Sequence, residues 1–337
     1  DVYKRLIQDI YELKTIREIS DNFYYPKKSN VYKRTISDNI FYPFQEDFSS
    51  DQLTVKNILL TGATGYLGIH LLNELMKKTD SHVYCVVRYK NGKDSKERLL
   101  HKLSFYFGTS MLQYVDSRIH VLVADITLPK LGLSDEDYNK LGEKIDLVIH
   151  SAAIVDHYGN KDLFELINVT GTNHIIDFCK DFSIYMNHIS TTSVSASLPD
   201  GEKPTIFDEH ALYVGQNYSD NIYIKTKFEA EYNILQAILH SDLKASIYRI
   251  GNICARYSDA KFQENDDKNA FLNRIITLSK LDKIAKSFSD FEIDLSPVDT
   301  CASIISSFVM FTNSYPKIFH IYHNHALKLI DLINQLR

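Results

Sequence analysis

Tyr223 and Lys227 stand four residues apart in Tyr223-Ile224-Lys225-Thr226-Lys227, a spacing that puts a phenol and an ammonium on one face of a helix. A cation beside a phenol favours the phenolate, so the pair is expected to lower a tyrosine pKa that starts near ~10 and to ease proton exchange with a substrate oxygen. Tyr24, Tyr89 and Tyr257 also precede a lysine by four residues, so context must choose. Tyr24 is followed by Pro26, Tyr89 lies in a basic loop, and Tyr257 lies beyond the sixth strand pattern. Tyr223 opens a long helical pattern between the fifth and sixth. Upstream, Ser190-Thr191-Thr192-Ser193 ends the fifth strand pattern and sets hydroxyls at the carboxyl edge of a sheet, where open α/β folds bind ligands. Thr191, in preference to Thr192 or Ser193, is expected to donate to an oxygen that gains negative charge. A hydroxyl cluster that merely caps a strand end is the plainer alternative.

Thr61-Gly62-Ala63-Thr64-Gly65-Tyr66-Leu67-Gly68 follows a short strand pattern and runs directly into the helical pattern Ile69–Lys78. Gly62 would permit a tight turn, Gly65 the approach of a pyrophosphate to the backbone, and Gly68 close packing of helix on strand. The helix N-terminus adds N–H groups and a partial positive charge. The spacing is GxxGxxG rather than GxGxxG, so the strand–turn–helix context carries the dinucleotide assignment. At the end of the second strand, where an NAD site places a carboxylate for the ribose 2′-hydroxyl, stands Arg88, with Lys90, Lys93, Lys96 and Arg98 close behind. A guanidinium can hold a 2′-phosphate bidentately, and NADPH is the expected cofactor. A solvated basic loop is the alternative.

These groups need a scaffold. Asn57–Leu60, Val83–Val87, Ile119–Ala124, Leu147–Ile149, Tyr185–Ile189 and Ala245–Tyr248 read as strands that alternate with amphipathic helical stretches. Continuous apolar strands separated by helices predict an α/β fold, a doubly wound parallel sheet of Rossmann type with a smaller C-terminal substrate lobe. The expected division is 1–50 as an appended helix and linker, 51–250 as the dinucleotide-binding domain, and 251–337 as the lobe, with segments returning to the sheet. In that lobe Asn269–Leu281 and the stretch from Ser296-Pro297-Val298-Asp299 read as helices and Ile318–Tyr322 as a strand. The helical pattern Ala326–Arg337 is expected to continue into further lobe residues.

Composition narrows the function classes. The 337 residues are 44% hydrophobic and 24% charged, which suits a folded globular chain. A net charge of −5 without a basic run argues against nucleic acid as a partner. No apolar run approaches the ~20 residues of a membrane span, and no leader pattern opens the sequence, so a cytoplasmic protein off the membrane is expected. Cys85, Cys179, Cys254 and Cys301 lack metal-knuckle spacing, and the 13 histidines contain no HExxH, so no metal is expected.

Taken together, TGATGYLG, VVR, ADIT, VIHSAA, NVTGT, ISTTSV, YIKTK and YRIGN resemble the extended short-chain dehydrogenase/reductases. More specifically they resemble the thioester reductase domains that terminate nonribosomal peptide synthetases. Arg256-Tyr257-Ser258-Asp259, Phe262-Gln263, Asn269-Ala270-Phe271 and Ser296-Pro297-Val298-Asp299 carry the more specific likeness. Asp9-Ile10-Tyr11 through Thr15-Ile16-Arg17-Glu18 looks like the last helix of a peptidyl carrier domain. The resemblance implies catalytic roles for Thr191, Tyr223 and Lys227, with Tyr223 and Lys227 also touching the cofactor. It implies a pyrophosphate loop from Thr61 and Gly62 through Thr64, Gly65, Tyr66 and Leu67 to Gly68, and a 2′-phosphate pair in Arg88 and Arg98. Asp125 and Ile126 would flank the adenine, Ser151, Ala152, Ala153 and Ser190 would line the cofactor, and Asn168 would support the site. Asp156 stands where many relatives have asparagine and Ala260 where glycine is common, which puts local loop geometry in question. The implied activity is NADPH-dependent release of a peptidyl thioester as an aldehyde. The partner would be an upstream peptidyl carrier domain bearing a phosphopantetheine-tethered dipeptide, within a monomeric domain of a larger synthetase. The rival readings are a nucleotide-sugar epimerase or dehydratase, and a non-catalytic NADP-sensing regulator.

Overall fold

The computed structural model describes residues 39–41, 51–52, 55–89, 94–156, 159–199, 206–266, 269–281, 291–312, 317–323 and 326–337. The expected helix at 1–24 and the lysines at 90 and 93 lie outside the described residues. Seven strands, β1 (Asn57–Thr61), β2 (His82–Val86), β3 (Ile119–Leu122), β4 (Leu147–His150), β5 (Tyr185–Thr191), β6 (Ala245–Ile250) and β7 (Lys317–Ile321), form one sheet in the order β7-β6-β5-β4-β1-β2-β3. Every neighbouring pair in it is parallel. All four residues of β4, all seven of β5 and all six of β6 are buried, as strands covered on both faces require.

Helices cover the two faces. The helices α1 (Tyr66–Lys78) and α2 (Ser95–Phe107) share one apolar cluster with the sheet, and α3 (Asp135–Lys144) contributes to the other. Beyond β4 the chain forms a one-turn helix α4 (Lys161–Phe164), a π-helical stretch Glu165–Thr170, and α5 (Gly171–Asp181), which joins the second cluster with α6 (Ile222–Ser241). In the C-terminal part, α7 (Ala270–Ser279) and α9 (Leu329–Leu336) close on a small cluster of Ile275, Ile293, Leu329 and Ile333. Between them, α8 (Val298–Phe308) returns to the first face beside α1, where Lys78 Nζ donates to the hydroxyls of Ser303, Ser306 and Ser307. Among the described residues no helix is long and apolar enough to cross a membrane.

The strand order reverses at β1, which pairs with β2 on one side and β4 on the other. Connections leave such a pair in opposite directions and open a crevice at its carboxyl ends, and the glycine turn and residues 151–154 emerge there.

Under the sheet lies a fully buried ion pair. Arg249 of β6 donates from Nε and Nη2 to the Glu231 carboxylate of α6 at 2.8–3.2 Å, and both side chains are 0% exposed. The remaining N–H groups of Arg249 reach the Asp208 and Ala211 carbonyls and His320 Nε2 of β7. One guanidinium thus ties β6, β7, α6 and the 206–211 loop together. Removing one partner of such a pair strands a buried charge. Arg249→Met is therefore expected to destabilise the fold by about 3–5 kcal/mol in urea unfolding, with Arg249→Met/Glu231→Leu recovering much of that loss.

Candidate active site

The glycine turn is shaped by close approaches. Gly62 has φ +75°, and a Cβ there would stand 2.7 Å from the Ser151 carbonyl and the Ala152 nitrogen. A Cβ on Gly68 would lie 2.1 Å from the Gly62 carbonyl oxygen, so α1 can pass over β1 only with glycine at this place. Gly65 is exposed and precedes α1, whose first turn has no side-chain cap. Its N–H groups therefore face the crevice mouth in the manner of an anion site. These features fit a dinucleotide pyrophosphate. Tyr66 leaves the turn sideways, its hydroxyl donating toward the Cys254 and Lys261 carbonyls at 3.1 and 3.2 Å, while Leu67 is buried and Thr64 half-buried.

Beside the turn, Thr61 Oγ1 accepts from Ala152 N at 3.2 Å and donates to His150 Nδ1 at 2.7 Å. His150 Nε2 then donates to Thr172 Oγ1 at 3.1 Å, and that hydroxyl donates to the Asn168 carbonyl at 2.7 Å. The imidazole is consistent with this neutral arrangement: burial, and then the Lys227 charge, lower its pKa to about 3. Asn168 holds the loop after β4 by accepting from Ile154 N at 2.8 Å and donating to Ile154 O at 3.0 Å, and it donates to Thr226 of α6 at 3.0 Å. Ser151, Ala152 and Ala153 are thereby fixed against Gly62.

At the outer end of β2 the Arg98 guanidinium donates to the Arg88 carbonyl, bringing two cationic side chains together. Burial, and then the neighbouring Arg88 charge, lower the Arg98 pKa, so the pair favours an anion between them. The Asp125 carboxylate accepts from Thr127 N and Thr127 Oγ1 at 2.9 and 2.8 Å and so shapes the turn after β3. The Ile126 side chain is buried against Gly171, where a Cβ would meet it at 2.9 Å.

Asn221 caps α6 by accepting from Tyr223 N and Ile224 N at 2.9 and 3.2 Å, which starts the helix where Tyr223 meets the end of β5. Thr191 Oγ1 accepts from Ser193 N at 3.1 Å and hydrogen-bonds the Tyr223 phenol. The expected electrostatics need correction. Burial raises the Tyr223 pKa, and the Thr191 hydrogen bond opposes that rise. Lys227 Nζ donates to Ile189 O at 2.7 Å and to His188 Nε2 at 3.1 Å, and burial lowers its pKa to about 8 while Glu231 opposes that shift. The Ser190 hydroxyl is bonded to Glu231 of α6. Glu231 and His188 were not singled out from sequence. The i+4 step from Lys227 to Glu231 was the available signal for the first; a histidine inside an apolar strand gave little for the second.

Of the other Tyr-x-x-x-Lys matches, Tyr24 lies outside the described residues, and Tyr89 and Tyr257 are 66% and 84% exposed. Ala260 has φ +58°, the left-handed region that glycine adopts without strain, and Asp299 accepts from Tyr257 N and Ser258 N to hold that loop. Asp156 is exposed.

Because alanine at Gly62 must adopt a left-handed φ, at about 1–3 kcal/mol, and displace the residue 151–152 backbone, Gly62→Ala should weaken nicotinamide dinucleotide binding at least tenfold by calorimetry.

A profile of the NAD-binding family described as Male sterility protein matches residues 60–305. A solved archaeal thiolation-reductase di-domain of a nonribosomal peptide synthetase is 35% identical with a TM-score of 0.76, over 86% of this chain and 76% of that one. The reductase domain of the aureusimine biosynthetic cluster is 27% identical with a TM-score of 0.72, over 88% and 74%. A linear gramicidin synthase polypeptide of Brevibacillus parabrevis is 26% identical over 289 residues, which are 86% of this chain and 6% of that protein. The chain thus spans a small fraction of the length of that curated relative. The fold, the glycine turn and these likenesses agree: the chain belongs to the Male sterility protein family, as an NAD(P)-binding oxidoreductase domain of the extended short-chain dehydrogenase/reductase fold and the synthetase-reductase type.

Proposed function

We propose that the domain reduces a peptidyl thioester, delivered on the phosphopantetheine arm of a carrier domain, to an aldehyde at the expense of NADPH. The observation that carries this reading is the Tyr223–Thr191 hydroxyl pair at the carboxyl end of β5, beside a crevice whose glycine turn fits a dinucleotide. Likeness to a thiolation-reductase di-domain supports the carrier as partner. The close approach of Arg88 and Arg98 supports the 2′-phosphorylated cofactor.

The residues divide the work. The backbone N–H groups of the first turn of α1 would hold the pyrophosphate, Arg88 and Arg98 the 2′-phosphate, and Lys227 the ribose near the nicotinamide. The bound cofactor supplies one hydride to the thioester carbon. Thr191 and Tyr223 donate to the carbonyl oxygen, where negative charge develops as the carbon becomes tetrahedral. Burial raises the phenol pKa, which keeps Tyr223 protonated and able to donate at neutral pH. Collapse of the hemithioacetal breaks the carbon–sulfur bond, and the thiolate leaves readily because a thiol pKa is near ~8.5. One proton is taken up overall, so thioester, NADPH and a proton give aldehyde, thiol and NADP+.

Tyr223→Phe should cut turnover of a dipeptidyl pantetheine thioester by about 10²–10⁴-fold while NADPH binding persists, measured by absorbance and aldehyde trapping. A regulator would keep its cofactor response in that variant. Arg88→Ala should erase most of the preference for NADPH over NADH in kcat/KM. Because Lys227 acts as an ammonium with its pKa lowered to about 8, kcat/KM for NADPH should fall as pH rises through that value.

A further inference from the structure

Three adjacent strands carry a row of buried polar side chains in ladder register, at the carboxyl ends of β1 and β4 and midway along β5. Thr61 of β1 pairs with His150 of β4, and His150 pairs with His188 of β5. Thr61 and His150 are hydrogen-bonded, the two imidazole rings lie 5.3 Å apart, and His188 Nε2 reaches Lys227 Nζ at 3.1 Å. The row therefore leads from the residue before the glycine turn to the lysine of α6. Thr61, His150 and His188 are each at most 1% exposed, and Lys227 is 3% exposed.

The tautomer of His188 follows from its neighbour. An ammonium only donates, so Nε2 accepts and the ring proton sits on Nδ1. That buried Nδ1 has no hydrogen-bond partner among the described residues. An apolar residue of similar size would fill the same space without an unsatisfied N–H, so packing alone does not account for the imidazole. Its contribution lies in the other nitrogen.

We propose that His188 is a positioning residue for the reaction: its Nε2, together with the Ile189 carbonyl, holds the Lys227 ammonium at a fixed depth under the sheet edge and leaves its third N–H for the cofactor ribose. The proposal rests on the assignment of Tyr223 and Lys227 to the reductase site. His150, locked between Thr61 and Thr172, braces the ring on the far side and stays neutral, so it adds no cation. Among the described residues, the charged and titratable groups around the lysine are His188 of β5, His150 of β4 and Glu231 of α6, with Tyr223 one turn before it on the same helix and Arg249 of β6 neutralising Glu231. Glu231 lies one turn along α6 and raises the lysine pKa, yet its carboxylate is occupied by Ser190 and Arg249. Among the described residues, His188 is accordingly the side-chain acceptor that touches Lys227 Nζ.

Three variants test this, read through pH profiles of kcat/KM for NADPH and through kcat. His188→Leu removes the acceptor, so the ammonium loses stabilisation and the alkaline limb should move to lower pH, with kcat reduced at least tenfold. His188→Gln can place its carbonyl oxygen near the position of Nε2 and should restore the limb and most of kcat. His188→Asn, whose oxygen reaches the position of Nδ1, should not. A wild-type profile for folded His188→Leu would overturn the proposal, as would equal behaviour of Gln and Asn; the Gln–Asn comparison decides should the leucine variant not fold. Tyr223→Phe is run alongside. Retained turnover there overturns the assignment of the reductase site itself, whereas its loss combined with a wild-type His188→Leu profile overturns the positioning role alone.

Discussion

The burial of α6 against β5 is the constraint on which the site depends. Tyr223, Lys227 and Glu231 follow each other at intervals of four residues, and each meets a different polar group around the end of β5 or beneath it. Tyr223 meets Thr191, Lys227 meets His188 and the Ile189 carbonyl, and Glu231 meets Ser190 and Arg249. Two buried charges of opposite sign on one helix face cannot slide along a strand, because a shift by one turn would leave each without its partners. The register that satisfies them is also the register that sets the phenol beside the Thr191 hydroxyl. Stability and the geometry of the proposed site thus share one set of contacts.

The second fixed element is the crossing of α1 over β1. Gly62 and Gly68 approach the backbone of the neighbouring loop and of each other so closely that side chains are excluded, and the result is an uncapped helix end at the reversal of strand order. The loop after β4 is bound to both elements, to Thr61 through Ala152 and to α6 through Asn168 and Thr226. The half that would hold a cofactor and the half that would act on a carbonyl are therefore braced by the same four-residue segment, 151–154.

Much of this was legible in the sequence because backbone requirements leave strong marks. Strand runs such as Leu147–Ile149, the glycine spacing and the helix opening at Tyr223 each reflect a local rule, and the elements lie where those rules put them, with β5 and β6 extending two residues further than the apolar runs suggest. Side-chain partners were less legible. Whether Lys227 turns toward the phenol or toward His188 depends on which strand lies opposite α6, and no spacing within the helix records that. The same holds for Ser190, whose hydroxyl is bonded to Glu231 while that of its neighbour Thr191 is bonded to Tyr223, and for Ile126, whose side chain is buried. Burial then reversed the expected direction of the tyrosine shift, since desolvation outweighed the hydrogen bond that opposes it.

The central claim is that a hydride reaches the carbonyl carbon of a thioester held at Thr191 and Tyr223. It is tested most directly by mass spectrometry of the product formed from a dipeptidyl pantetheine thioester and NADPH carrying deuterium on the transferred face of C4. The account predicts an aldehyde with one deuterium on its carbonyl carbon and release of the free thiol. An aldehyde without deuterium, or free acid and thiol with the label still on the cofactor, would contradict it.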